Sequence, residues 1–170
     1  MNKKNNVILI GFMGVGKGTV ARELVKSSDY FSIDTDDLIE SIENRKVKKI
    51  FKEEGENYFR DLEKKCALWL EKNVDNTIIS TGGGFFKQEN IRNIGKVIYL
   101  ESSFDGILNR IHKSPNAKEK LKKRPLLNDL QLAKKLYDLR IEDYKRVSDL
   151  TINVENRDIK DIVKDILGNI

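Results

Sequence analysis

The stretch Gly11-Phe12-Met13-Gly14-Val15-Gly16-Lys17-Gly18-Thr19 constrains this chain most, because of what flanks it. The apolar run Val7-Ile8-Leu9-Ile10 lies directly ahead, and Val20, Ala21, Leu24 and Val25 follow at helical spacing. An apolar run, a glycine-rich loop ending in Lys, and then helical periodicity read as strand–loop–helix. In that context the glycines let successive backbone N–H groups turn inward around an anion, and the helix N-terminus behind them adds partial positive charge. Lys17 brings a full charge to the terminal phosphates. A plain turn from strand to helix explains the glycines alone, but not the spaced glycines, the lysine and both flanks together. Gly14 to Thr19 therefore read as a phosphate-binding P-loop for a nucleotide. One position departs from the usual pattern. Gly18 stands where a Ser or Thr normally offers a hydroxyl to magnesium, and Gly-Lys-Gly-Thr is the form of adenylate-kinase-like loops, in which water and nucleotide oxygens hold the metal.

With 170 residues, 39% of them hydrophobic, a single α/β domain over 1–170 is expected. The one cysteine, Cys66, excludes an internal disulfide and a cysteine zinc cluster. Its neighbours Ala67, Leu68 and Trp69 suggest a packed thiol on a helix. His112 is the only histidine, which argues against a histidine-ligated metal or a histidine-based triad. Lys3 and Lys4 ahead of an apolar run imitate a secretory leader, but glycines break the run, Lys17 follows at once, and no small-residue cleavage site is present. No segment approaches the length of a membrane span, so a cytoplasmic protein without a membrane partner is expected. The net charge of +5 comes from 32 basic and 27 acidic residues. The two signs are mixed along most of the chain and no stacking aromatic motifs accompany them, which describes a solvated surface and not a nucleic-acid site.

Short β-branched or aromatic patches at Val7–Ile10, Tyr30–Ile33, Thr77–Ser80, Val97–Leu100 and Leu150–Val154 alternate with helical stretches. That alternation predicts a three-layer α/β/α domain around a central five-stranded parallel sheet with crossover helices. Between His112 and Arg124 the composition shifts: Lys113, Lys118, Lys120, Lys122, Lys123 and Arg124 face one acid, Glu119. Alone, such a run is a solvated loop. Beside a P-loop it reads as a mobile cationic lid, about 113–125, able to close over polyphosphate and exclude water. Pro125 disfavours helical geometry at Arg124 and marks the lid's end.

Asp34-Thr35-Asp36 ends the second strand, with Asp37 next. Ligands of open α/β sheets bind at the carboxyl ends of strands, so these carboxylates belong near the P-loop. One of them serves as the N-cap of the helix that follows. The others suit magnesium-bound water and a substrate hydroxyl. Ser80-Thr81-Gly82-Gly83-Gly84 follows the third strand, and its three glycines are expected to present bare amides to a small polar ligand. Arg60 shares a helix face with Glu63, which holds the guanidinium in place. Arg140 lies in a later helix with Leu136, Tyr137 and Ile141.

Taken in order, Gly11-Phe12-Met13-Gly14 with the P-loop, Asp34-Thr35-Asp36, Phe59-Arg60, Ser80 to Gly84, Arg124-Pro125-Leu126-Leu127 and Arg140 resemble the shikimate kinases of the nucleoside-monophosphate-kinase branch of P-loop kinases. The resemblance implies a P-loop kinase fold and phosphate transfer from ATP, with Mg2+, to the 3-hydroxyl of shikimate in aromatic amino acid biosynthesis. It also implies a monomer. By this resemblance Arg60 and Arg140 grip the substrate carboxylate, a task that suits paired charge-assisted contacts. Asp36 accepts a hydrogen bond from the reacting hydroxyl. The amides of Gly82, Gly83 and Gly84 fix the ring, against an apolar wall of Phe51 and Phe59 in the substrate-binding helical region, about 36–62. Gly14, Val15, Gly16, Lys17, Gly18 and Thr19 hold the phosphates. Lys17 and Arg124 neutralise their charge as catalytic groups, while Arg110 and the Asn156-Arg157 turn lie near adenine. Asp34 reaches the metal through water. Three alternatives stay open on the residues: a nucleoside monophosphate kinase, favoured by Gly-Lys-Gly-Thr; a gluconate-kinase-like enzyme; and a nucleotide-binding module that has lost its metal ligand and its activity.

Overall fold

The structure, a computed structural model, describes residues 4–122 and 124–170; Lys3 and Lys123, which entered the leader and lid arguments, lie outside the described residues. Five strands, β1 (Val7–Ile10), β2 (Phe31–Asp34), β3 (Thr77–Ser80), β4 (Lys96–Glu101) and β5 (Leu150–Asn153), form one sheet in the order β2-β3-β1-β4-β5. Every pairing is parallel. β1 and β3 are buried along their whole length, which is why β1 reads as an unbroken apolar run and β3 keeps Ile78 and Ile79 side by side without alternation. β2 is an edge strand, shifted one residue from the expected Tyr30–Ile33, with Phe31 81% exposed.

Helix α1 (Lys17–Lys26) follows β1. Helices α2 (Thr35–Glu43) and α3 (Val47–Asn73) join β2 to β3, and α4 (Ile91–Ile94) precedes β4. Helices α5 (Phe104–His112), α6 (Ala117–Lys122) and α7 (Leu130–Val147) join β4 to β5, and α8 (Ile159–Leu167) ends the described chain. Right-handed crossovers put α1, which runs toward β2, on one face of the sheet, and the connections through α2–α7, which run the other way, on the opposite face. α8 packs on α1. The expected α/β/α layering is what forms. Caps follow side-chain chemistry: Asp34, Ser103, Asp129 and Asp158 each accept a backbone N–H at the start of α2, α5, α7 and α8.

Two features position the site. The chain leaves β1 in one direction and β3 in the other, so a crevice opens between their carboxyl ends, and Thr81 Oγ1 pins its floor by donating to the Leu9 carbonyl at 2.8 Å. The second is a break in α3. Gly55 adopts φ 86°, ψ 176°, a conformation that L side chains rarely take, and divides the helix into Val47–Glu54 and Glu56–Asn73. Cys66 is buried on the second segment as expected, beside buried Ala67, but Leu68 and Trp69 point outward.

The cationic run differs from the loop expected of it. Ala117-Lys118-Glu119-Lys120-Leu121-Lys122 is helical, because Ala, Lys, Glu and Leu are strong helix formers even where nothing is buried. Arg124 has φ −128°, ψ 75°, outside helical geometry, and Pro125 opens a short 3-10 turn.

Candidate active site

At the P-loop, Gly16 caps α1 with φ 108°, and a Cβ there would lie 2.5 Å from the Arg110 guanidinium carbon. Phe12 anchors the loop from below, meeting the rings of Tyr137 and Phe104 edge-on at 5.4 and 6.3 Å between centroids. Lys17 is buried. Its Nζ donates to the Gly11 carbonyl at 2.7 Å and the Phe12 carbonyl at 3.2 Å. Burial lowers its pKa to about 8, although the carboxylates of Asp36 and Asp34 oppose the shift.

Asp34 caps α2 and links two strands. Its Oδ1 accepts from the Asp36 and Asp37 amides at 2.9 and 3.3 Å, and its Oδ2 accepts from Ser80 Oγ at 2.8 Å, tying the end of β2 to the end of β3. Asp36 is different. Its Oδ1 is buried without a hydrogen-bond partner, and burial, reinforced by Asp34 and Glu63, pushes its pKa up to about 7. A buried lone pair of this kind costs free energy unless a ligand donates to it.

The glycines after β3 are backed by these side chains. A Cβ on Gly82 would lie 2.6 Å from Asp36 Oδ1, and one on Gly84 would collide with the Arg60 guanidinium. The expectation of three bare amides is corrected at Gly82, whose N–H donates to Thr35 Oγ1 at 3.1 Å. Thr35 is fully buried.

Arg60 and Glu63 meet as their spacing requires, with NH1 donating to Oε2 at 2.5 Å, while Glu56 takes the Nε and NH2 protons at 3.2 and 3.0 Å. Glu63 is fully buried with Oε1 unpartnered, and burial holds its carboxyl above the usual range against the pull of Arg60 and Arg140. Arg140, buried on α7, donates from NH1 to the Gly83 carbonyl at 3.0 Å and leaves Nε without a partner. The Phe51 and Phe59 rings pack 4.7 Å apart, Phe51 at the rim and Phe59 buried.

On the opposite side of the P-loop only cations gather. Arg124 NH1 donates to the Lys120 carbonyl at 2.8 Å, fastening the residue after α6 back onto it. Burial lowers the pKa values of Arg110 and Arg124, and Arg124 is lowered further by Arg110. The structure sets the Arg110 guanidinium against the phosphate loop at Gly16. Asn156 lies in the turn after β5 with φ 54°. Arg157 donates to the Asn153 carbonyl at 3.1 Å and pairs with Asp165 on α8 at 2.6 Å.

Three contributors were not anticipated. Arg22 has its NH1 3.4 Å from where a Gly18 Cβ would lie, one helical turn on. Tyr144, one turn after Arg140, donates to the Gly83 carbonyl at 2.7 Å, and Thr35 takes the Gly82 amide. The four-residue spacing is the signal that finds the first two.

Known proteins match this arrangement closely. A family model described as shikimate kinase matches residues 13–170. A shikimate kinase of Helicobacter hepaticus is 39% identical over 148 residues, covering 87% of this chain and 86% of the relative. One from Alkaliphilus oremlandii is 36% identical over 173 residues, covering 97% and 98%. Among solved structures, a shikimate kinase from Acinetobacter baumannii in complex with shikimate is similar with a TM-score of 0.83 at 30% identity, covering 98% of this chain and 92% of that one. Matched along nearly its whole length, with its P-loop, strand-end aspartates, Arg60 and Arg140 converging on one crevice, the chain belongs to the shikimate kinase family.

Proposed function

We infer that the protein transfers the γ-phosphate of ATP to the 3-hydroxyl of shikimate, giving shikimate 3-phosphate, a step of the shikimate pathway of aromatic amino acid biosynthesis. The observation that carries the assignment of the site is the unpartnered, buried Asp36 carboxylate set between a P-loop lysine and two arginines. A small acid bearing hydroxyls answers each of these groups. Its carboxylate takes the free N–H groups of Arg60 and Arg140, one hydroxyl donates to Asp36, and its ring lies against Phe51 and Phe59 beside Gly82, Gly83 and Gly84. A nucleoside monophosphate would need a pocket for its base and an arginine set for a second phosphate, whereas Asp36, Arg60 and Arg140 suit a small acid bearing hydroxyls.

Gly14, Val15, Gly16, Gly18 and Thr19 surround the polyphosphate of ATP, with Lys17 exchanging its bonds to the Gly11 and Phe12 carbonyls for phosphate oxygens. Arg110 and Arg124 supply further positive charge on that side, and the lid over 113–125 excludes water when it closes. Asp36 orients the attacking hydroxyl and accepts its hydrogen bond. A loose phosphoryl-transfer transition state asks more for position and charge than for early proton removal, which a carboxyl with a pKa of about 7 supplies without being a strong base. Asn156 and Arg157 border the nucleotide's far end. The donor set fits magnesium, since the Asp34 carboxylate offers the hard oxygen atoms that this ion takes. Asp34, already holding two amides and a hydroxyl, acts on magnesium through water. The ion, when bound, neutralises phosphate charge. We further propose that the enzyme works as a monomer in the cytoplasm; no described helix is long and apolar enough to cross a membrane.

The assignment is tested by ADP production from ATP and magnesium with shikimate, AMP and gluconate offered in parallel. ADP formation that depends on shikimate alone is expected. Turnover with AMP or gluconate instead would mean that Arg60 and Arg140 serve another acceptor, and ATP binding with no turnover would revive the inactive module.

A further inference from the structure

We propose that Tyr144 is a positioning residue for shikimate, acting through the Gly83 carbonyl on the carboxylate-gripping arginine Arg140; the proposal rests on the acceptor assignment above. The Tyr144 hydroxyl and Arg140 NH1 both donate to the Gly83 carbonyl oxygen, at 2.7 and 3.0 Å. Tyr144 is buried, and its ring is wedged between Tyr99 of β4, stacked at 5.2 Å, and Phe86, edge-on at 4.6 Å. Its hydroxyl is thus a rigid donor fixed from the sheet.

The carbonyl it holds needs holding. Gly82, Gly83 and Gly84 give the backbone no side chains with which to restrict rotation about its own bonds, so the Gly83–Gly84 peptide plane has little intrinsic preference. Because the peptide is planar, fixing the Gly83 oxygen also fixes the Gly84 N–H, which points the opposite way. Gly84 in turn backs onto the Arg60 guanidinium. One hydroxyl therefore sets a peptide that carries Arg140 on one side and abuts Arg60 on the other. Without it, Arg140 keeps its charge but loses the fixed acceptor that aims its remaining N–H groups, and an aimed guanidinium is what bidentate carboxylate binding requires. Burial pushes the Tyr144 pKa up to about 12, so the hydroxyl remains a donor across the working range.

Tyr144→Phe keeps the ring and removes only the donor. The readout is kcat and KM with shikimate and with its carboxamide, a neutral acceptor that forgoes the arginine grip. The expected result is a rise in shikimate KM of about tenfold, kcat within about threefold, and carboxamide kinetics close to wild type. Tyr99→Phe alters the same aromatic stack without touching Gly83 and is expected to leave the shikimate KM unchanged. Gly83→Ala is a second route to the same contact, since its Cβ would lie 3.2 Å from Arg140 NH1 but 3.9 Å from the Tyr144 hydroxyl; it is expected to reproduce the carboxylate-selective loss. Equal losses on both acceptors, or none on either, in Tyr144→Phe and Gly83→Ala would overturn the positioning role. Failure of wild type to use shikimate, or equal use of acid and carboxamide by wild type, would instead overturn the acceptor assignment beneath it.

Discussion

The two sides of the P-loop are built on opposite electrostatic plans. On the acceptor side each cation has an anionic or carbonyl partner in place: Arg60 has Glu63 and Glu56, and Arg140 has the Gly83 carbonyl. The groups left over, Asp36 Oδ1, Glu63 Oε1 and Arg140 Nε, are single buried atoms without a hydrogen-bond partner. On the nucleotide side burial lowers the pKa values of Arg110, Arg124 and Lys120; Arg110 lowers Arg124 further, and repulsion from Arg110, Arg124 and Arg22 adds to the shift at Lys120. No side-chain carboxylate pairs with these four among the described residues. One half is therefore preorganised, and the other is completed by the polyphosphate it binds. A preorganised site holds its geometry without its ligand, whereas a cluster of like charges is stabilised by the arrival of a multivalent anion.

The largest expected effect breaks the comparison at the boundary between the halves. Asp36→Asn should lower kcat by about 10²- to 10⁴-fold, because a neutral amide oxygen that cannot take the proton replaces the carboxylate facing the hydroxyl. The same change should stabilise the free protein at neutral pH. In the fold Asp36 holds its proton to about pH 7, whereas an unfolded aspartate releases it near 3.8, so this group lowers stability as pH rises between those values. Thermal melts should show Asp36→Asn above wild type at pH 7.5, with the gap closing toward pH 4. A variant less stable at pH 7.5 would mean that the carboxylate is paired in the free protein.

Arg124→Ala comes next. A residue belonging to the nucleotide half should cost about 10²-fold in kcat while the shikimate KM moves by less than about threefold. A loss confined to the shikimate KM would transfer Arg124 to the acceptor half. The smallest effect sharpens the view of the loop itself. A serine fits at Gly18, where the nearest atom to a new Cβ, Arg22 NH1, lies at ordinary contact distance, 3.4 Å. Gly18→Ser should lower the magnesium concentration for half-maximal rate by roughly threefold to tenfold, since a hydroxyl replaces water as a ligand. An unchanged magnesium dependence would show that water does not fill that position.

The sheet was legible because both faces of β1 and β3 are covered, which leaves an unbroken apolar run at Val7–Ile10 and the β-branched run Thr77-Ile78-Ile79. At the edge the same logic loses its grip. β2 exposes Phe31 and ends on Asp34, so its limits are set by pairing with β3 and not by hydropathy. The helix over Ala117–Lys122 was hidden by a charge count that overlooked propensity. In the site, charged residues at strand ends announced themselves, and Lys17, Asp36, Arg60 and Arg140 do meet around one crevice. What composition could not reveal are bonds that run through backbone atoms: Thr35 to the Gly82 amide, and Tyr144 to the Gly83 carbonyl. Arg110 was placed by analogy, and its contact with Gly16 depends on how α5 lies over the loop.

The break at Gly55 gives the acceptor pocket a seam. Phe51 belongs to the short segment of α3 ahead of it, while Phe59, Arg60 and Glu63 belong to the long segment behind it, and the two rings touch across the joint. The residues that recognise charge are thus rooted in the core, and the residue that shapes the rim hangs from a piece whose attachment turns on a single backbone conformation. Substitutions in Val47–Glu54 can retune the contour of the pocket while the carboxylate-binding apparatus stays put. A family descending from such a design can diversify its acceptors piecewise, altering one wall without re-engineering the anchor.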